Sequence, residues 1–379
     1  MAAVRAQARP TLRLAVLFAV AAAVAAAASP STGRWLPLHL FLAGGLGLAI
    51  SAATQQFAVT WSAGPAPPRV AAQAQRWSVA LGAAGVTAAR EADLPWAVLA
   101  VAGGAFIAGL AGLAVLLVAS VRRGAERRFD VALGWYLGAL ACGVAGGTIG
   151  IVIAGGSPGD LRGAHVVLNL LGLVGLVIGG TVPFFVATEA RTRMSPRATD
   201  RRLTALLAWQ LAAVAVAAGG LAWAQRWAAV TGLVAYVAGL VGLAAALPAV
   251  GGRQVRWAGP RLVQLLAGLA WWVGAVAAAA VAAARGRTPL AGDALIVLVV
   301  AGYAQVLWGS LAYLLPVLRA GGHHRLTAGF AETRSWVALV AANLAGVALV
   351  LGEGRLAAVL VGVWLLDALW RVVRVEATG

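Results

Sequence analysis

LRGAHVVLNLLGLVGLVIGGTVPFFVA, residues 161–187, carries one arginine near its start and no charge after it. Coiled as an α-helix at about 1.5 Å per residue, such a run reaches roughly 40 Å, enough to cross ~30 Å of hydrocarbon. Two side chains interrupt its apolar character, His165 and Asn169. An ionisable group at bilayer depth is costly unless something binds it, which makes His165 a candidate functional residue. Asn169 follows one turn later on the same helix face, where it can hold the imidazole tautomer or hydrogen-bond a neighbouring helix.

Eleven further runs resemble this one in length and hydropathy. Together the twelve cover residues 12–28, 35–62, 70–89, 94–120, 129–154, 161–187, 203–222, 227–249, 258–283, 292–318, 335–352 and 355–373. With 62% apolar residues over 379 positions and a mean hydropathy of +0.89, the chain reads as an all-α polytopic membrane bundle of twelve transmembrane helices. No loop between the runs is long enough to fold alone, so residues 1–379 are expected to form one transmembrane domain. The third run is the weakest, because Arg76, Gln73 and Gln75 crowd its first turns. The first, with Arg5, Arg9 and Arg13 ahead of it and AAAVAAAASP at 21–30 behind, has the form of a signal peptide with a small-residue cleavage site. A retained helix over 12–28 is preferred, since polytopic proteins seldom need a cleaved signal.

The net charge of +17 comes from arginine alone, with no lysine in the chain. On a soluble protein such a balance would suggest nucleic acid; here it sets topology. Placed in the loops between the twelve runs, 22 arginines fall on one side and seven on the other, namely Arg34, Arg90, Arg162, Arg226, Arg285, Arg287 and Arg355. Cytoplasmic loops carry the excess, so both termini are expected in the cytoplasm of a cell-membrane protein. Runs six, eight and ten end in a proline followed by arginine: Pro183 with Arg191, Pro248 with Arg253, Pro316 with Arg319. A duplicated helix pair would produce this, and so would the preference of both residues for helix ends.

His39 lies four residues into the second run and His165 four into the sixth, and both runs enter from the arginine-poor side. Two imidazoles at equal depth can ligate one haem iron axially or share one copper ion. His323 and His324 sit on the opposite side, among arginines and without carboxylate or cysteine neighbours, where a solvated loop is the expectation. Cys142 is the only cysteine, which excludes an intrachain disulfide and any multi-cysteine cluster. Gly44, Gly45 and Gly47, with Gly172, Gly175, Gly179 and Gly180, are expected to let helix backbones approach closely. Gln55, Gln56, Gln210, Gln305 and Asn343 are expected to hydrogen-bond between helices, and the fifteen tryptophans to anchor interfaces or fill the core. Asp367 should pair with Arg371 one turn on. No GxxxxGK[ST], HExxH or GxSxG stands in the sequence, so ATP hydrolysis, zinc proteolysis and serine hydrolysis lack support.

The run AHVVLNLLGLVGLVIGGTVPFFVATEARTRM, from Ala164, resembles the His-x-x-Leu-Asn-Leu-Leu-Gly segment of NnrS-like and haem-copper-oxidase-like membrane proteins. It is closest to the actinobacterial membrane regions that occur alone or fused to multicopper nitrite reductase domains. LHLFLAGGLGLAISAATQQFAVTW in the second run and GSLAYLLPVLRAGGHHR at the end of the tenth fit the same pattern. Twelve spans is the helix number of that superfamily, and the resemblance implies haem b or copper chemistry near the outer face. Respiratory members place an adjacent histidine pair on span seven and two haem ligands on span ten, and none of these is present here. Gln56 stands near the position where relatives tend to carry a second histidine in span two. The resemblance thus carries over His39 and His165 as ligands, with Asn169 beside them, and implies no complete oxygen-reducing centre. It leaves two rivals: a small-solute permease, to which twelve spans and the proline repeat point, and a non-catalytic scaffold for a separate copper-oxidase partner in the membrane.

Overall fold

The computed structural model describes residues 2–28, 33–127, 130–156, 160–319 and 323–377. Arg128, the Ser29-Pro30 end of the small-residue run, Gly321, Gly322 and the side chain of His323 lie outside the described residues. In chain order the helices are α1 (Ala2–Ala27), α2 (Trp35–Ser62), α3 (Arg69–Glu91), α4 (Trp96–Arg122), α5 (Asp130–Ala154), α6 (Arg162–Glu189) and α7 (Asp200–Ala222). They continue with α8 (Arg226–Ala244), the short α9 (Gly252–Ala258), α10 (Pro260–Ala284), α11 (Gly292–Arg319), α12 (His323–Glu332), α13 (Trp336–Val350) and α14 (Gly354–Ala377). Every described element is helical, and eleven stretches are long and apolar enough to cross a membrane. The chain is a polytopic helical membrane protein.

The twelfth long helix is α3, too polar to count by composition alone. One of its polar residues is satisfied inside the protein: Gln75 is buried and donates to Ser51 Oγ at 3.1 Å and the Gly109 carbonyl at 3.2 Å, while Gln55 donates to Gln75 Oε1 at 3.2 Å. A helix whose glutamine links α2 and α4 needs less lipid-facing apolar surface to stay at bilayer depth. Several boundaries differ from the sequence reading, among them the start of α1, at Ala2 rather than near residue 12. The eighth run ends at Ala244, leaving Pro248 outside any helix, and part of the expected loop after α11 coils into α12.

Contacts gather the chain into two compact units, one of Met1–Thr181 with Leu203–Ala228, the other of Val182–Arg202 with Ala229–Gly379. In the first unit the arginine-rich segments share one end. Gln7 on α1 donates to the Pro67 carbonyl before α3, and Glu126 after α4 donates its backbone N–H to Ser62 O at the end of α2. The arginine-poor segments share the other end, where Trp96 at the start of α4 donates to Ile151 O near the end of α5. Helices α1 to α5 therefore alternate in direction, as the arginine asymmetry requires.

One local feature recurs at every fourth long helix. Helices α2, α6 and α11 each contain a seven-residue π-helical segment: Leu40–Leu46, Leu168–Val174 and Leu298–Ala304. These begin 128 and 130 residues apart, and each opens Leu-x-x-x-Gly, with glycine at 44, 172 and 302. In each case that glycine faces the preceding long helix, meeting Phe18 of α1, Cys142 of α5 and the Trp272 backbone of α10. Pro183 and Pro316 lie inside α6 and α11, and Pro248 has no counterpart role.

Burial follows the same plan. The apolar window of α6 is 94% buried, whereas that of α14 is 17% buried. Trp135, Trp272, Trp308 and Trp364 fill the interior, and Trp96, Trp223, Trp227 and Trp336 are exposed at helix ends, where amphipathic rings anchor to headgroups. The small residues of α6 serve close packing. A β-carbon on Gly180 would lie 2.4 Å from Trp135 Cβ, so Gly180→Ala must push α6 and α5 apart. The expected cost is about 1–3 kcal/mol, read as a lower thermal midpoint in detergent; an unchanged midpoint would show that this contact yields easily. The expected glutamine and asparagine bonds form in part. Asn343 donates to Gln305 Oε1 at 3.2 Å and accepts from Trp271 Nε1 at 2.9 Å, while Gln56 bonds Thr60 on its own helix.

Candidate functional site

At the arginine-poor end of the first unit, α2 and α6 bring His39 and His165 together. Their ring centroids are 6.3 Å apart and their planes 17° from parallel. Each side chain sits just ahead of a π segment, His39 directly before Leu40 and His165 three residues before Leu168. Widened helical turns of this kind recur at functional sites.

Backbone carbonyls fix both tautomers. His39 Nδ1 donates to the Trp35 carbonyl at 2.9 Å, and His165 Nδ1 donates to the Gly146 carbonyl at 2.8 Å. A carbonyl can only accept, so each Nδ1 carries the proton and each Nε2 presents a lone pair. This is how metal-ligating histidines are usually held, with the far ring nitrogen tied to a carbonyl or carboxylate. Trp35 also stacks on His39, centroids 4.0 Å apart, and the Arg90 guanidinium lies 5.9 Å from the Trp35 ring.

Asn169 lies against the same place in another role. Its amide donates to His165 O at 2.8 Å and approaches His165 Nδ1 at 3.4 Å, too long and too poorly matched to compete with the Gly146 carbonyl. It is packed on α5, where a β-carbon at Gly146 would meet its amide at 2.4 Å. Gly150, one turn further, lets the His165 ring close on the α5 backbone: a β-carbon there would lie 2.9 Å from Cε1 and 3.1 Å from Nδ1, with Nε2 farther off at 4.0 Å. The protonated edge of His165 thus faces α5 and the lone-pair nitrogen is turned from it.

Sequence reasoning placed His39, His165 and Asn169 and missed their supports. Gly146 and Gly150 form a small-xxx-small pair on α5, and Trp35 precedes His39 by one helical turn, so both signals were present in the sequence. His324 is exposed at the start of α12. Asp367 and Arg371 form the expected pair, with contacts of 2.9 and 3.0 Å. A charged pair that sequence reasoning did not foresee joins Glu189, the last residue of α6, to Arg261 near the start of α10, at 3.3 Å and almost wholly buried.

Among the described residues no group of three or more His, Cys, Asp or Glu side chains is placed to hold a metal ion. Two neutral imidazoles suit groups that need only two protein donors: a haem, whose macrocycle supplies the other four nitrogens, or a low-coordinate copper ion. A metal–imidazole bond is roughly 2 Å and the ring centroid lies about 1 Å behind the nitrogen, so two imidazoles that face one ion from opposite sides have centroids about 6 Å apart. The observed spacing is of that size. The donor chemistry fits both groups. No protein-family model matches the chain, and a search of curated proteins returns no match either.

Proposed function

We propose that His39 and His165 together hold one haem iron or one copper ion near the arginine-poor face, and that the chain serves nitrogen-oxide, copper or respiratory chemistry in a cytoplasmic membrane. One observation carries the reading: two nearly parallel imidazoles at ligand spacing, each with Nδ1 tied to a backbone carbonyl so that Nε2 is left as a donor. The resemblance of α6 to NnrS-like and haem-copper-oxidase-like proteins supports the same assignment and gives it a physiological class. A bound haem would supply electron transfer or ligand binding at iron, and a bound copper ion one-electron chemistry. The chain's own part is to orient two imidazoles, to hold their protons on the far nitrogens and to seat the pair against α5. Asn169 keeps the His165 turn in place through the His165 carbonyl.

Purified protein is expected to show either a haem Soret band or bound copper near one per chain. Neither, after supplementation of the growth medium with haem precursor and copper, would overturn the assignment. Gly150→Ala should weaken retention of the group while leaving the thermal midpoint lowered only modestly, because the added methyl presses on the His165 ring rather than on backbone. Full retention in that variant would separate the seat on α5 from binding.

A further inference from the structure

The first unit contains a second feature, at its arginine-rich end and away from the histidine pair. A cavity of about 270 Å³ opens between α1, α2 and α3, and two arginines of α3, Arg69 and Arg76, line it. With Gln73 they occupy positions i, i+4 and i+7, one face of that helix. Among the described residues no carboxylate lines the cavity, and Arg76 Nε is buried without a hydrogen-bond partner. Arg76 lies seven residues into the helix, roughly 10 Å below its start, with its guanidinium 5.6 Å from the Trp77 ring, and at that depth a guanidinium without an anion beside it is costly. Gln7 of α1 is anchored to the Pro67 carbonyl, and its Oε1 is buried without a partner. Thr11 and Gln55 also line it, and the remaining walls are small and apolar, among them Val4, Ala8 and Ala52.

We propose that this cavity binds an anionic phosphate group, Arg69 and Arg76 supplying the charge and Gln73 a further amide donor. A guanidinium matches phosphate geometry as well as charge, and basic pockets between transmembrane helices on the cytoplasmic side recognise lipid headgroups in this way. The apolar walls and the depth of Arg76 favour a phosphodiester that enters from the bilayer, such as the headgroup of phosphatidylglycerol. A free phosphate ion shares the chemistry and differs in needing no acyl chain.

The test is ligand-dependent thermal stability of the purified full chain in detergent, titrated with dioctanoyl phosphatidylglycerol, dioctanoyl phosphatidylcholine or sodium phosphate. Phosphatidylglycerol is expected to raise the midpoint saturably and phosphatidylcholine not to. In the double variant Arg69→Gln, Arg76→Gln the apparent affinity should fall about tenfold or more, while Arg253→Gln, an exposed arginine elsewhere, should behave as wild type. A response to sodium phosphate matching that to phosphatidylglycerol would assign the site to the free ion and uphold the phosphate reading. Equal responses to both lipids, or an unchanged response in the double variant, would overturn it. If the double variant does not fold, Arg69→Gln alone, at an exposed position, and Arg76→Lys carry the same comparison. Arg69→Gln should then weaken binding and Arg76→Lys should largely keep it.

Discussion

Glu189→Ala is expected to destabilise the fold by about 3–5 kcal/mol, the usual consequence of leaving a buried charge without its partner. Glu189 is fully buried at 0% exposure, and Arg261 is 3% exposed. Arg261 Nε lies 3.3 Å from Glu189 Oε1, yet neither that nitrogen nor either carboxylate oxygen meets hydrogen-bond geometry. Charge attraction and ring packing hold the guanidinium, which sits 4.6 Å from the Phe330 ring and 5.9 Å from Tyr313. The Arg191 and Arg334 charges also act on Arg261, so removal of the carboxylate leaves like charges facing one another. The thermal midpoint in detergent should fall by many degrees, or the variant should fail to accumulate. The double change Glu189→Leu, Arg261→Met should recover much of the loss, because apolar replacement of a whole buried pair is often neutral or better. A Glu189→Ala midpoint equal to wild type would show that the carboxylate is not what compensates Arg261.

The second large effect is expected at the histidines, and it separates the two candidate ions. If the pair holds haem, His165→Ala would remove one of the two residues that hold it, and the protein should keep a weakened haem with a shifted Soret band. If it holds copper, the same change removes half of the protein donors, and copper content should fall to background. His39→Ala should mirror either outcome, since both imidazoles present the same nitrogen and each is held by one carbonyl. Thermal midpoints without the bound group should move little, because both side chains are only partly buried. A variant that keeps wild-type content and spectrum would show that its histidine is no ligand.

Hydropathy alone made most of the architecture legible. The second run, 35–62, coincides with α2, and the sixth and tenth differ from α6 and α11 by at most two residues at either end. Twenty apolar residues in sequence have few alternatives to a spanning helix. The π segments were not legible, because a shift from i−4 to i−5 bonding leaves no hydropathy signature. The recurring Leu-x-x-x-Gly was present, but seven glycines in two helices read equally well as general packing. The prolines, spaced every two helices, left a duplicated pair and a simple preference for helix ends equally open, while the glycines at 44, 172 and 302 recur every four long helices. Glu189 and Arg261 escaped notice because each stands at a span boundary, where charges are ordinary; only tertiary packing reveals that both are buried. His39 and His165 were found as costly groups at equal depth. That their ring centroids lie 6.3 Å apart, and that Gly146 rather than Asn169 fixes the second tautomer, depends on how α2, α5 and α6 pack.

One haem or one copper ion is proposed to rest on His39 and His165. The most direct measurement is haem and copper content per chain in purified wild type beside the double variant His39→Ala, His165→Ala, with folding of both checked by far-ultraviolet circular dichroism. Wild type is expected to hold close to one haem or one copper per chain, and the variant none. Equal content in the two proteins, or none in either, would contradict it.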